Sequence, residues 1–204
     1  MPHYLVLLRH GQSRWNLENK FTGFHDIDLS EAGVKEAENA GKLLKKAGIR
    51  FDRVFTSTLL RANRTARLAL ESAGQGDLIA SMIAHDDLRE RDYGDLTGLD
   101  KDQTRAKYGA EQVHIWRRSY DVPPPGGECL KDVVERVGPY YTKNIKPLLD
   151  QDKNILIAAH GNSLRAMLII LGVETPESIN AAEIPTGVPL VFEMEGGRII
   201  KRNF

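Results

Sequence analysis

The stretch Tyr4-Leu5-Val6-Leu7-Leu8-Arg9-His10-Gly11 joins a continuous apolar run to a polar turn. Five consecutive apolar side chains predict a strand that is covered on both faces, as in a parallel sheet between helices. The run Ile155-Leu156-Ile157-Ala158-Ala159 repeats this pattern and is again followed by His-Gly. Two such strands, separated by helix-period segments, predict an α/β fold with a mainly parallel central sheet.

The segments around these two runs complete the expected three-layer sandwich, with helices on both faces of the sheet. Ser30 is a candidate N-cap for a helix that closes at Gly48. Pro139 and Pro147 are expected to kink or divide the helix that starts at Leu130. Further predicted elements are a strand at Arg53 to Thr56, helices at 59–73, 100–108, 111–118 and 163–171, and a terminal hairpin at 188–202 around Gly196-Gly197.

Composition excludes several classes of partner. The 204 residues contain 28 Lys and Arg against 28 Asp and Glu, so the net charge is +0, and 41% of the residues are hydrophobic. A nucleic-acid-binding protein would normally carry a basic excess, so no nucleic-acid partner is expected. The length favours one domain over residues 1–204.

Cysteine usage and hydropathy indicate the compartment. Cys129 is the only cysteine, so no intramolecular disulfide can form. The N-terminal residues lack the charged and apolar regions of a signal peptide. The longest apolar runs fall far short of the roughly 20 residues that a membrane helix requires. A cytoplasmic protein without a membrane partner is therefore expected.

Two matching histidines are the strongest functional signal. His10-Gly11-Gln12-Ser13 and His160-Gly161-Asn162-Ser163 each follow a five-residue apolar run. Ligands of parallel α/β sheets bind outside the carboxyl ends of the strands, so both imidazoles are expected to face one crevice. A single such histidine is usually structural, and a pair could hold a metal, but no third ligand follows at a suitable spacing. Phosphoryl transfer to a neutral imidazole, with Arg9 neutralising the incoming oxyanions, fits better.

The chain also resembles the histidine phosphatase superfamily, and within it the cofactor-dependent phosphoglycerate mutases. The resemblance runs from about Leu5 to Phe192. It rests on Leu8-Arg9-His10-Gly11-Gln12-Ser13-Arg14-Trp15-Asn16, Phe21-Thr22-Gly23, Asp28-Leu29-Ser30-Glu31-Ala32-Gly33, Glu90-Arg91-Asp92-Tyr93-Gly94, Trp116-Arg117-Arg118 and Ala158-Ala159-His160-Gly161-Asn162-Ser163-Leu164-Arg165. Acid phosphatases of the superfamily would carry Arg and Pro where this chain has Ser13 and Trp15.

This resemblance implies specific roles. His10 would accept and donate the phosphoryl group, Glu90 would be the general acid and base, and a helical lobe around residues 90–130 would cover the site. Arg9, Arg61 and His160 would hold the transferring group. The implied substrate-binding residues are Ser13, Asn16, Thr22, Gly23, Arg91, Tyr93, Lys101, Arg117, Arg118, Gly161 and Asn162.

The same resemblance implies the ligands. The reaction would interconvert 3-phosphoglycerate and 2-phosphoglycerate, small three-carbon phosphorylated acids, with 2,3-bisphosphoglycerate as the primer of His10 and no metal. Bisphosphoglycerate carries about −4 to −5 charges, which Arg9, Arg61, Lys101, Arg117 and Arg118 could offset. A homodimer is a further possibility, because members of the family are often dimeric.

Three departures from the family pattern bear on the activity. The segment from Val122 to Leu130 is short, and the chain ends at Phe204, where the family often has a covering tail. Less cover predicts more access of water to a phosphohistidine. Asp92 stands where a histidine is common, and its charge is expected to raise the pKa of Glu90 if the two are close. Two rival functions remain open: a phosphomonoesterase that uses the same His10 and Glu90, and a non-catalytic regulator that binds phosphorylated ligands.

Overall fold

Strands β1 (His3–Arg9) and β4 (Ile155–Ala159) lie side by side within a six-stranded sheet. The computed structural model, which describes residues 2–203, pairs them in parallel. Every residue of β4 is buried, as its unbroken apolar run predicts. Met1 and Phe204, the ends of the predicted domain, lie outside the described residues.

The other strands extend the sheet on both sides of this pair. The spatial order is β3-β2-β4-β1-β5-β6, with β2 at Arg53–Thr56, β3 at Ile83–Ala84, β5 at Leu190–Glu195 and β6 at Arg198–Asn203. Strands β3, β2, β4 and β1 pair in parallel, whereas β5 and β6 form the predicted antiparallel hairpin at one edge. The sheet is thus mixed but mainly parallel. Strand β3 was not predicted, because two residues carry no periodicity.

Helices cover both faces of the sheet. Alternate side chains of β1 point to opposite faces, so Leu5 and Leu7 join one apolar cluster and Val6 and Leu8 join another. The first cluster includes side chains from the helices at 130–140 and 161–170, and the second includes side chains from the helices at 31–46 and 60–72, which confirms the three layers. The helices are α1 (Arg14–Leu17), α2 (Glu31–Lys46), α3 (Leu60–Ser72), α4 (Lys101–Tyr108), α5 (Ala110–Arg118), α6 (Leu130–Tyr140), α7 (Lys146–Leu149) and α8 (Gly161–Ile170).

The ends of the helices agree closely with the local sequence signals. The Ser30 hydroxyl accepts from the Gly33 N–H at the start of α2, as predicted. A π-helical turn at Tyr141–Ile145 separates α6 from α7, because Pro147 has no N–H to donate to the preceding turn. Helix α8 begins two residues earlier than predicted, since His160 is its N-cap. The one-turn helix α1 was not predicted.

The turn after β1 is fixed by close backbone packing. A Cβ atom on Gly11 would lie 2.2 Å from the Gly33 carbonyl oxygen, so only glycine allows the turn to touch α2. The Gly11 N–H donates to Thr65 Oγ1 of α3 at 3.1 Å. Residue 10 is therefore held at the carboxyl edge of the sheet by two helices. None of the helices described between residues 2 and 203 combines the length and the hydropathy that a membrane span requires.

Candidate active site

The two histidines meet at the carboxyl ends of β1 and β4. The backbone N–H of His10 donates to the Ala159 carbonyl at 3.0 Å, and this hydrogen bond joins the two strand ends. The ring centroids of His10 and His160 lie 5.1 Å apart in an edge-to-face arrangement. After β1 the chain continues to helices on one face of the sheet, and after β4 it continues to α8 on the other. The crevice between them is the position where α/β sheets bind ligands.

Hydrogen bonding fixes the tautomer of His10. Its Nδ1 lies 2.6 Å from the Gly11 carbonyl oxygen, which can only accept, so Nδ1 carries the proton. Burial and the charges of Arg61 and Arg9 hold the pKa of His10 well below its ordinary value of 6.5. The ring is therefore neutral at pH 7, with the Nε2 lone pair available as a nucleophile.

His160 is buried beside His10 and does not line the pocket itself. Its Nε2 lies 2.7 Å from Ser57 Oγ, which also accepts from the Leu59 N–H. The Leu59 N–H uses a lone pair of Ser57 Oγ, so the hydroxyl proton remains free to donate to Nε2 of a neutral imidazole. Burial, and after it the charge of Arg61, hold the pKa of His160 well below 6.5.

Two arginines flank the histidines. Arg61 is 1% exposed, and its guanidinium donates to the carbonyls of Gly23 and His25 at 2.7 and 2.8 Å. Burial lowers the pKa of Arg61 to about 10, so it remains charged at neutral pH. Arg9 donates from Nη1 to the Ile184 carbonyl at 2.8 Å. Both guanidiniums are thus oriented by backbone carbonyls before any ligand binds, as electrostatic stabilisation requires.

Glu90 brings a buried carboxylate into this cationic pocket. Its Oε1 accepts from the backbone N–H groups of Arg91 and Asn162 at 2.8 and 3.1 Å. Burial raises the pKa of Glu90, but the Arg91 N–H and the charges of Arg61, Arg9 and Arg91 lower it more. The condition set for an effect of Asp92 is not met: Asp92 is not among the groups that shift the pKa of Glu90, and its Oδ1 accepts from the Gly94 N–H at 2.9 Å.

The remaining pocket lining is strongly basic. Of the described residues, seven cationic side chains line the pocket against one carboxylate, that of Glu90. The cations are Arg9, Lys20, Arg61, Lys101, Arg117, Arg118 and Arg165. Burial and the neighbouring Arg117 lower the pKa of Lys101, which reflects this crowding of charge. The pocket encloses about 690 Å³, including its open mouth, and is suited to a small polyanion.

Most of the predicted substrate-binding residues lie in this pocket. The structure places Asn16, Thr22, Gly23, Tyr93, Lys101, Arg117, Arg118, Gly161 and Asn162 along its lining. Ser13 and Arg91 are fully buried and support the wall instead of lining it. Ser13 caps α1 by accepting from the Asn16 N–H at 3.1 Å.

Arg91 connects the C-terminal end of α5 to α8. Its guanidinium donates to the carbonyls of Trp116 and Arg117, at the end of α5, and to Asn162 Oδ1. Carbonyls in the last turn of a helix have no partner within the helix, so Arg91 satisfies two of them. It thereby fixes Arg117 relative to the histidines without facing the pocket.

Four lining residues were not predicted: Lys20, Phe21, Arg165 and Ile184. Arg165 lies four residues after Gly161, one helical turn along α8, so helix periodicity could have identified it. Its guanidinium donates to the Ala182 carbonyl, and burial together with Arg118 lowers its pKa to about 10. Nothing in the sequence around Ile184 indicated a place in the pocket.

The neutral histidines predict a specific pH dependence of stability. Unfolded histidines bind protons near pH 6.5, whereas buried His10 and His160 do not, so the free energy of unfolding falls as the pH drops below 6.5. Each contributes a slope of up to about 1.4 kcal/mol per pH unit. Urea denaturation between pH 7.5 and 5.5 measures this slope. The dependence of the free energy of unfolding on pH should be weaker in His160→Asn than in the wild type. The control His114→Asn changes an exposed residue and should keep the wild-type slope. Equal slopes in His160→Asn and the wild type would contradict the prediction.

Such an arrangement, in which a neutral imidazole lies between guanidiniums and beside a buried carboxylate, is suited to phosphoryl transfer through a phosphohistidine. Comparison with known families agrees: the chain belongs to the histidine phosphatase superfamily (branch 1), whose model matches residues 5–202. No group of three or more His, Cys, Asp or Glu residues suited to a metal ion occurs within residues 2–203.

Proteins similar to this chain include both mutases and phosphatases of this superfamily. The chain is 56% identical to the 2,3-bisphosphoglycerate-dependent phosphoglycerate mutase of Methylobacterium sp. (strain 4-46), over 98% of this chain and 96% of the relative. It is 53% identical to the protein of the same name from Methylocella silvestris, over 98% and 97% of the two chains. Among solved structures, a mycobacterial glucosyl-3-phosphoglycerate phosphatase matches with a TM-score of 0.77 and 28% identity, over 93% of this chain and 92% of that one.

Proposed function

We propose that this chain catalyses the 2,3-bisphosphoglycerate-dependent interconversion of 3-phosphoglycerate and 2-phosphoglycerate, an isomerase reaction of glycolysis and gluconeogenesis. The observation that carries the proposal is the identity above 50%, over nearly the full length of both chains, to relatives that bear this name. Those relatives share the short overall length of this chain, so a compact site is compatible with their activity. The similar phosphatase structure is only 28% identical.

The pocket has the charge that such ligands require. Bisphosphoglycerate carries about −4 to −5 charges at neutral pH. Seven lining cations against one carboxylate exceed the need of a single phosphate group. Arg9 and Arg61, next to His10, would hold the transferring phosphoryl group, while Lys101, Arg117 and Arg118 would hold the other acidic groups.

The proposed cycle starts with phosphorylated His10. The bond between its Nε2 and phosphorus breaks, and a bond forms to the C2 hydroxyl oxygen of 3-phosphoglycerate. Glu90 takes the hydroxyl proton, through Oε2, because Oε1 already accepts two backbone N–H bonds. His10 then accepts the phosphoryl group from C3 of bound bisphosphoglycerate, and Glu90 returns the proton to the departing oxygen. 2-Phosphoglycerate leaves and His10 is again phosphorylated.

Chain organisation and surroundings belong to the same proposal. We place residues 90–130 as a lobe within a single domain, and the protein in the cytoplasm, with small phosphorylated acids as its ligands and no metal requirement. No nucleic-acid partner is proposed, because the cations gather in one pocket while the net charge is +0. A homodimer remains a prediction that size-exclusion chromatography with light scattering would check.

One assay separates the proposed function from its rivals. The protein receives 3-phosphoglycerate with trace 2,3-bisphosphoglycerate, with and without a metal chelator, and 2-phosphoglycerate and free phosphate are both measured. We expect 2-phosphoglycerate to predominate in both samples. Predominant free phosphate would establish a phosphomonoesterase instead, and neither product would favour the regulator. A regulator would gain nothing from Glu90, whose charge weakens the binding of anions.

Arg117 and Arg118, which would hold the acidic groups of the ligand that are not transferred, yield a prediction about the mutase rate. The double variant Arg117→Ala, Arg118→Ala should lower the kcat/KM of the mutase reaction by about 10²–10⁴-fold, because each of the two lost charge-assisted hydrogen bonds contributes roughly 1.5–3 kcal/mol. Steady-state kinetics measure the change. The control variant Lys45→Ala, Lys46→Ala removes two exposed charges from the end of α2 and should leave it unaffected. An unchanged mutase rate in the Arg117 and Arg118 variant would favour the phosphomonoesterase.

A further inference from the structure

Glu90 is carried by an irregular segment of backbone. It lies between one 3₁₀ turn at Asp86–Leu88 and another at Gly94–Leu96, and neither a helix nor a strand includes it. Backbone groups outside regular structure need other partners when they are buried. The position of the Glu90 carboxylate therefore depends on whatever holds this segment.

Arg136 of α6 holds most of it. Its Nη1 donates to the carbonyls of Asp87 and Arg89 at 2.6 and 3.1 Å, and its Nη2 donates to the Glu90 carbonyl at 2.9 Å. The two remaining N–H groups form a fork to the Glu128 carboxylate, at 2.9 and 3.0 Å. All five donors of this guanidinium are thus used.

Glu128 holds the other side of the segment. Its Oε2 accepts from the Asp92 N–H at 2.9 Å, and its own N–H donates to the Asp92 carbonyl at 2.8 Å. The side chains of Glu128 and Arg136 are 22% and 17% exposed, so solvent weakens this pair less than a surface ion pair. Together they fix the backbone on both sides of Glu90.

The Glu90 side chain is held from the opposite direction. Its Oε1 accepts from the N–H of Asn162 in α8, and α6 and α8 pack in one apolar cluster. If the backbone of residue 90 shifts, Oε1 leaves the two N–H groups that orient it. Neither Glu128 nor Arg136 lines the pocket, so this pair does not touch a ligand and acts on Glu90 by positioning it. The charge of Arg136 also contributes, as the last and smallest cause, to the lowered pKa of His160, and Arg136→Lys keeps that charge.

We propose that Glu128 and Arg136 form a positioning clamp that sets the Glu90 carboxylate for proton transfer. The clamp rests on the proposed role of Glu90 in the phosphohistidine cycle. Its function requires the planar guanidinium fork, because a lysine has three donors on one atom and cannot reach two carboxylate oxygens and three carbonyls together. Charge alone therefore does not restore the clamp.

The test compares two phosphoryl donors in a single turnover. From 2,3-bisphosphoglycerate, the P–O bond breaks toward an alkoxide, which Glu90 protonates after it has taken up a proton from solvent. From 2,4-dinitrophenyl phosphate, the same bond breaks and a stable phenolate leaves with the electron pair, without a proton. In both cases a bond forms between phosphorus and Nε2 of His10. Radiolabel on the protein and phenolate absorbance follow the two reactions.

In Arg136→Lys and Arg136→Ala, phosphorylation by bisphosphoglycerate should fall by about 10²-fold, the effect expected of a 1 Å displacement. Phosphorylation by the aryl phosphate should change by less than about threefold, because it does not need Glu90. Glu128→Gln should show the same pattern more weakly. Arg67→Lys makes the same substitution on an exposed residue of α3 and should change neither rate.

Two results would overturn the clamp: an equal loss with both donors, which indicates general structural damage, or no loss with either. Wild-type protein that is labelled by the aryl phosphate but not by bisphosphoglycerate would instead refute the proposed function. In that case the clamp is tested by the rate at which phospho-His10, formed from the aryl phosphate, is hydrolysed, because Glu90 would serve as the base that deprotonates the attacking water. Slower hydrolysis in Arg136→Lys supports the clamp, and unchanged hydrolysis overturns it.

Discussion

Replacing His10 by alanine is expected to lower mutase turnover by at least about 10⁴-fold, since loss of a nucleophile removes the covalent route altogether. The other groups of the pocket cannot substitute for it. His160 is buried behind the lining, and its Nε2 is already engaged with Ser57. The variant should also lose all acid-labile phosphate on the protein.

Two measurements check this expectation: the rate of 2-phosphoglycerate formation, and acid-labile radiolabel after incubation with bisphosphoglycerate. His114→Ala is the matched control, because it removes an exposed imidazole from α5. A thermal melt of both variants separates loss of the nucleophile from loss of the fold. Retained turnover in folded His10→Ala would refute the phosphohistidine mechanism.

Glu90→Gln should lower kcat by about 10²–10⁴-fold, the usual contribution of a positioned acid or base. The amide oxygen can still accept from the Arg91 and Asn162 N–H groups, so the side chain keeps its place. Among the described residues that line the pocket, the substitution also removes the one negative charge beside seven cations. Phosphorylated ligands should therefore bind more tightly while turnover falls.

The prediction is specific because the dissociation constant and kcat should both fall in Glu90→Gln, so that binding strengthens while turnover slows. Calorimetry with 3-phosphoglycerate gives the dissociation constant, and steady-state kinetics give kcat. Glu135→Gln neutralises an exposed carboxylate of α6 and should change neither quantity. If Glu90→Gln keeps its full rate, proton transfer belongs to another group.

The principal elements and the central pair of histidines could be predicted from local sequence. Unbroken apolar runs identify β1 and β4 because only strands covered on both faces require them. The repeated His-Gly after each run then places two imidazoles at one edge of the sheet. Whether Asp92 acts on Glu90 could not be predicted, since two residues of separation do not fix where a side chain points in irregular backbone.

By itself, the sequence determined the α/β class, the order of the main elements and the two histidines, because these follow from apolar periodicity and turn chemistry within short segments. Only the tertiary structure decided which side chains share the pocket. It brought Lys20, Arg165 and Ile184 to the lining, buried Ser13 and Arg91 behind it, and linked Arg136 to the segment of Glu90. Such contacts join residues far apart in the chain, and packing between layers, which no local pattern encodes, sets their geometry.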